Sequence, residues 1–289
     1  MSHALARRLP ALRGVRRRTG RPDLLLIAAA VVITATLLVA VAAPLIAPYG
    51  PYEVDPTAVF ASPSPQHWLG TDDLGRDIFS RILYGARLTL AGPALVTVLV
   101  GLIGTVLAIA SAWFGGAVDN VITRALDVVL AFPGLILAII AAAVLGTGFA
   151  VPVLFISIAY VPVFARVVRS AAQREMGMPY VAALRISGAS PWTICVRHVV
   201  PNLLPLIVVQ STVGFGYALL DLAAISFLGL GLQPPTAEWG LMIANGKSAI
   251  LSGFPQQSLF AAIAVVVVVV AVNILGERLA ERFGIEEQA

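Results

Sequence analysis

Residues Ala171 to Asn202 read AAQREMGMPYVAALRISGASPWTICVRHVVPN, a polar island in a chain that is 59% hydrophobic and only 12% charged. Helix grammar runs through the island. Tyr180, Ala183, Leu184 and Ser187 recur at helical spacing, and Gly188 follows as a left-handed stop. Ser190 is a good N-cap, and Pro191 suits the first helical position after it. Trp192, Cys195, Val196 and Val199 then form a second apolar stripe, which Pro201-Asn202 is expected to end. The stretch predicts a short helix–turn–helix held at a membrane surface, a shape suited to docking a partner.

Long apolar runs flank the island on both sides. Soluble domains have about a quarter of their residues charged, so this composition predicts an integral membrane protein. The runs are continuous rather than short and alternating, which points to helices and not to a β-barrel. Six transmembrane helices are expected, at 24–47, 88–114, 128–147, 149–168, 203–232 and 258–276. Pro152 and Pro162 predict kinks in the fourth. The fifth contains Gly214, Gly216, Gly229 and Gly231, and is expected to break, tilt or re-enter at its end. Val265 to Val270 is featureless packing.

Charge orients these spans. Arg7, Arg8, Arg13, Arg16, Arg17, Arg18 and Arg21 precede the first, in a basic tail spanning 1–23. With that tail inside, Arg124, Arg166, Arg169, Arg174, Arg185, Arg197, Arg278 and Arg282 are inside too. Only Arg76, Arg81, Arg87 and Lys247 are left outside. The bias predicts cytoplasmic N- and C-termini and a cytoplasmic island. An Arg-rich flank of this kind sets topology and does not call for nucleic acid. The 24–47 run is too long for a cleaved signal peptide, whose apolar region has about 7–15 residues. The organisation expected is therefore a tail (1–23), a first span (24–47), an extracytoplasmic proline-rich loop (48–87), a core (88–282) carrying the 171–202 loop, and a short tail (283–289).

Three segments resemble one family. The first is His67-Trp68-Leu69-Gly70-Thr71-Asp72-Asp73-Leu74-Gly75-Arg76-Asp77, continuing through Ser80-Arg81 to Gly85-Ala86-Arg87. The second is Gly188-Ala189-Ser190 followed by Arg197-His198-Val199-Val200-Pro201-Asn202. The third is Ser226-Phe227-Leu228-Gly229-Leu230-Gly231, then Pro234-Pro235 and Glu238-Trp239-Gly240. Together, over about residues 24–282, they resemble the C-type permease subunit of dipeptide, oligopeptide and nickel ATP-binding cassette importers. The resemblance implies the type I importer permease fold in a bacterial inner membrane. It implies a homologous second permease, two cytoplasmic ATPases that carry the ATP and magnesium, and an extracytoplasmic substrate-binding protein. It also makes the island the loop that couples to the ATPase, with Tyr180, Ala182, Ala183, Leu184, Arg185, Gly188, Ala189, Ser190, Pro201 and Asn202 as its residues. The family's Glu-Ala-Ala falls on Ala182, Ala183 and Leu184, so the Glu is absent here.

Other polar groups are fewer. Asp221 lies inside the fifth apolar run, where an ionisable group faces a cavity or a partner. It is either a pathway group that attracts a substrate ammonium or a structural contact. Arg76, Asp77 and Arg81 are candidates for docking the binding protein, or alternatively an ion-pair cluster that folds the loop. Asp119, Arg124 and Asp127 are expected to pair locally. Gly246-Lys247-Ser248 lacks the earlier glycine at the spacing a phosphate loop needs. The chain has one cysteine, Cys195, and three scattered histidines, so no metal site and no catalytic constellation is expected. An ion-coupled secondary transporter, the reading of a different class, would want matching repeats and more membrane carboxylates.

Overall fold

Why the chain forms these helices is clearest at their ends. The computed structural model describes residues 23–285, so Arg7 to Arg21 and the residues after 285 lie outside it. Asp23 caps α1 (Leu24–Ile46) by accepting the Leu26 N–H at 3.2 Å. Pro44 lies inside α1 and has no N–H, which leaves the Ala40 carbonyl without its helical donor. Arg87 supplies one: its Nε donates to Ala40 O at 2.5 Å and its Nη2 to Val41 O at 2.8 Å. α1 buries only Ala29, Ala40 and Ala43 and is otherwise half-buried or exposed along its length.

The second helix, α2 (Ile78–Phe114), has 37 residues and starts ten residues before the expected span. Asp77 caps it, accepting the Ser80 N–H at 2.7 Å. The charges of Arg81 and Arg87 lower the local hydropathy and hide this first part, but both guanidinium groups donate to backbone carbonyls. The loop expected at 48–87 is thus shortened at its end.

The expected third span at 128–147 is corrected. The structure has α3 (Gly116–Leu130) and α4 (Gly134–Leu145), bent by 74° at the break between them. Phe132-Pro133 is the cause: proline disfavours helical geometry in the residue before it, and Pro133 itself is extended at ψ 124°. Asp119 and Asp127 do not pair locally. Asp119 binds Arg169 and Ser111, and Asp127 binds Arg166, so α3 is tied to α5 (Ala150–Met176). α5 runs unbroken through Pro162, and Pro152 falls in its first turn, where its missing N–H has no helical acceptor to lose.

The remaining elements are α6 (Pro179–Ile186), α7 (Pro191–Ile194), a π turn (Cys195–Val199), α8 (Val200–Phe227), α9 (Trp239–Asn245), α10 (Lys247–Leu251) and α11 (Gln256–Phe283). Helix passes through Pro201, which corrects the expectation that Pro201-Asn202 would end it. The wider π turn gives the Val200 N–H to Cys195 O, and Pro201 is the second residue of α8, in the first turn, where its missing N–H costs no bond within α8. Gly214 and Gly216 do not break α8; it ends at Phe227, before Gly229 at φ 77°. Among the described residues five helices are long and apolar enough to cross a membrane, or six with the bent pair counted as one span. The chain is a multi-pass, all-helical membrane protein. One core joins α2, α5 and α8 through Val96, Ile156, Phe164, Val168 and Leu203; the other joins α1, α2, α8, α9 and α11 around Ile78, Leu219, Trp239 and Met242.

Candidate functional site

The island folds as a pinned turn. At the end of α6, Ala189 N–H donates to Leu184 O at 3.0 Å and Gly188 N–H to Arg185 O at 3.1 Å. That pair of bonds is the Schellman closure, and it requires the left-handed Gly188 at φ 80°. Leu184 and Ala189 bring its apolar contact to the core. Ser190 then caps α7, its hydroxyl accepting the Thr193 N–H at 3.2 Å, with Pro191 next.

Two clamps hold the turn to the spans. Glu175, at the end of α5, accepts the Tyr180 hydroxyl at 2.7 Å and the Asn202 amide at 2.7 Å. One carboxylate thus joins α5, α6 and α8. Burial, then the Glu175 carboxylate, pushes the Tyr180 phenol up to about 12. The second clamp is Arg185, whose guanidinium lies over the Trp113 ring, 4.6 Å from its centroid, at the end of α2. Val181, Ile194 and Val199 plug the core beneath.

The outward rim is apolar. Ile186 is 89% exposed and Trp192 75%, with Ala182, Ala183, Gly188 and Ser190 exposed between and beside them. The expected second stripe is therefore rotated: Ile194, Cys195 and Val199 are buried, whereas Trp192 and Val196 face out. Tyr180 and Asn202 serve as anchors, and Pro201 is exposed at the start of α8. Sequence reading missed Glu175 and Trp113, which no local pattern connects to the turn. It also missed Ile186 as a rim residue, although its place one residue before the Ser187-Gly188 stop was visible.

The opposite end of α2 is a buried polar plug. Asp72 accepts Arg76 Nε at 2.7 Å and faces Arg81 Nε at 3.6 Å, an ion-pair distance beyond hydrogen-bond reach. Arg81 Nη1 donates to Pro51 O at 2.6 Å and to Pro235 O at 3.4 Å, and Nη2 to Thr236 O at 3.4 Å. Asp77 caps α2 and lies 3.0 Å from His67 Nδ1. Glu238 accepts the Gly240 and Leu241 N–H groups at 2.9 and 2.8 Å, while Trp239 Nε1 donates to Ile82 O at 3.0 Å. The first and third sequence segments thus meet at one plug. Arg76, Asp77 and Arg81 are all buried, which favours the ion-pair cluster that folds the loop over the alternative of a docking face. Their charges are consumed in folding the loop and are not presented to a soluble partner. Gly75, at φ 73°, is needed in this loop because a Cβ there would meet Asp55 O at 1.8 Å.

Arg81 and Trp113 are separated along α2 by a rise of about 48 Å at roughly 1.5 Å per residue. A bilayer core is about 30 Å thick, so the plug and the turn belong to opposite membrane faces. Asp221 lies between these levels on α8 and accepts the Tyr160 hydroxyl at 2.8 Å. Among the described residues no group of three His, Cys, Asp or Glu side chains could hold a metal ion.

Comparison with known proteins places this architecture. Residues 102–284 match the family described as binding-protein-dependent transport system inner membrane component. The chain is 39% identical over 249 residues to the dipeptide transport system permease protein DppC of Alkalihalophilus pseudofirmus, covering 86% of this chain and 82% of that protein. It is 42% identical over 218 residues to the glutathione transport system permease protein GsiD of Pectobacterium atrosepticum, covering 75% and 72%. The probable D,D-dipeptide transport system permease protein DdpC of Escherichia coli is 36% identical over 253 residues, covering 88% and 85%. In fold, the chain is similar to an inward-facing structure of the MetNI methionine ABC transporter, with a TM-score of 0.55 at 17% identity, over 70% of this chain and 95% of that one. The chain belongs to the binding-protein-dependent transport system inner membrane component family and is a permease subunit of an ATP-binding cassette importer.

Proposed function

We propose that this permease imports small peptides across a bacterial inner membrane, paired with a homologous permease and driven by two separate ATPases. The relatives named for dipeptides and for glutathione support the substrate class. In this reading both termini and the α6–α7 turn are cytoplasmic, in line with the Lys/Arg bias. An extracytoplasmic binding protein delivers the peptide on the opposite face. Nucleotide and magnesium belong to the ATPases; the Gly246-Lys247-Ser248 segment only opens the five-residue α10.

One observation carries the coupling role. A turn pinned to α2, α5 and α8 leaves Ile186 and Trp192 exposed on its outer rim. Rigid attachment below and an uncovered apolar rim above suit a lever seated in a cleft of the ATPase. Closing the ATPase dimer then moves α2, α5 and α8 together, as a rigid-body switch between two access states. Ala182 stands where the family has Glu, so this seat relies on shape and apolar contact.

The test is ATP-driven uptake by the complete complex in proteoliposomes. Labelled dipeptide should accumulate only with ATP and the binding protein, and Gly188→Val should hydrolyse ATP without uptake. Wild-type coupling in that variant would remove the lever role. Uptake by this chain alone on an ion gradient would overturn the importer mechanism.

A further inference from the structure

A cavity of about 300 Å³ opens between α2, α5 and α8, and none of its lining residues belongs to the turn or the plug. Tyr217, on its wall, is 59% exposed, so the cavity reaches the surface of the chain. Its size is at the low end for ligand pockets, enough for a small solute and too little for a long chain.

The polar groups of the cavity are not distributed like those of a lipid-facing surface. Gln210, Gly214 and Tyr217 line it and, with Asp221, recur at i, i+4, i+7 and i+11, one face of α8. Ser211 adds a hydroxyl beside them. Across the cavity, the Thr97 hydroxyl is buried and has no hydrogen-bond partner. A hydroxyl unmet at membrane depth is costly, and such groups are retained where something else bonds them. Tyr160 lines the same cavity and donates its hydroxyl to Asp221 Oδ2 at 2.8 Å. Among the described residues no Lys, Arg or His lies within ion-pair distance of Asp221. A membrane carboxylate held only by a neutral phenol is placed to accept a cation.

We infer that this face of α8, together with Tyr160 and Thr97, is a peptide-recognition subsite of the translocation pathway. The inference rests on the small-peptide importer reading above. Asp221 takes the amino-terminal ammonium of the passing peptide, which displaces the Tyr160 hydroxyl. Thr97, Gln210 and Ser211 bond its amide groups. Tyr160 keeps the carboxylate satisfied between substrates, so the subsite is a latch that opens only to a cationic head. No covalent step is involved.

The experiment uses the whole importer in proteoliposomes, with its partner permease, ATPases and binding protein, and a labelled dipeptide. Asp221→Asn should lower ATP-driven uptake at least about tenfold at unchanged complex yield, the scale of removing one partner of a desolvated ion pair. Asp221→Glu should restore part of it. Tyr160→Phe, which leaves the carboxylate in place, should stay within about threefold of wild type. Equal losses in Asp221→Asn and Tyr160→Phe, with lowered thermal stability in both, would make the pair a helix–helix tether and overturn the subsite. If Asp221→Asn does not assemble, Ser211→Cys in a Cys195→Ser background decides. Cys195 is this chain's buried native thiol, so within this subunit, resolved from its partners on a gel, only position 211 would report. Labelling by a charged aqueous thiol reagent, blocked by dipeptide, supports the subsite; no labelling means a lipid-facing stripe and overturns it. Absence of dipeptide uptake by the wild-type importer is a different failure, which removes the peptide reading itself and this inference with it.

Discussion

The two ends of α2 treat their side chains in opposite ways. At the N-terminal end, Asp72, Arg76, Asp77, Arg81 and Glu238 are buried, and each is bonded within the chain. At the C-terminal end, Ile186 and Trp192 are apolar and exposed, and the polar residues Glu175, Tyr180 and Asn202 hold the turn from within. Buried charges that are each bonded within the chain make a closed element. An apolar rim on a rigid mount marks an unfinished interface. The difference separates a part of the permease closed on itself from the turn proposed above to seat in an ATPase.

Mutations can break this contrast, starting with the plug. Asp72→Ala strands Arg76 and Arg81 in a buried setting, and breaking such a pair costs roughly 3–5 kcal/mol. The expected result is a large drop in thermal unfolding temperature and in recovered protein. A stability near wild type would show that the plug is wetter than its burial implies. Gly188→Val puts a β-branched residue at φ 80°, at a cost of at least about 1–2 kcal/mol. It should lose coupling far more than folded yield. Tyr180→Phe removes one hydrogen bond to Glu175, worth about 0.5–1.5 kcal/mol. This phenol titrates near 12 in the folded chain against an ordinary 10.0, so its stabilisation is complete below pH 10 and fades as pH rises through 12. Thermal shift across that window should fall more steeply for wild type than for Tyr180→Phe. Trp192→Ala is the mildest for folding, within about 0.5 kcal/mol at so exposed a site. Its effect should appear instead as weaker ATPase association, measured by co-purification. Destabilisation of the isolated permease by Trp192→Ala would mean that the rim is packing, not interface.

Much of the turn was legible because its signals are local. Ser190-Pro191 and Gly188 act within a few residues, through capping bonds and a left-handed backbone, and the structure has both. The break in the third span was also written in Phe132-Pro133-Gly134, although hydropathy alone passed over it. What escaped depended on distant partners. Arg81 looks like an exposed loop charge until Pro51, Pro235 and Thr236 converge on it. Pro201 looks like a stop until the π turn before it absorbs the missing bond. Asp221 stood out by its chemistry, but Tyr160 and the cavity beside it had no sequence signal.

The sequence by itself determined an all-helical membrane protein and the local form of its α6–α7 turn. Hydropathy, charge bias and capping are properties of a residue and its near neighbours, so they can be read along one dimension. Tertiary structure alone decided which charges are buried and paired, which apolar side chains are left uncovered, and which phenol holds the membrane carboxylate of Asp221. Burial is settled by what packs against a side chain from elsewhere in the chain. That is why Arg76, Asp77 and Arg81 became a plug, while Ile186 and Trp192 became a rim.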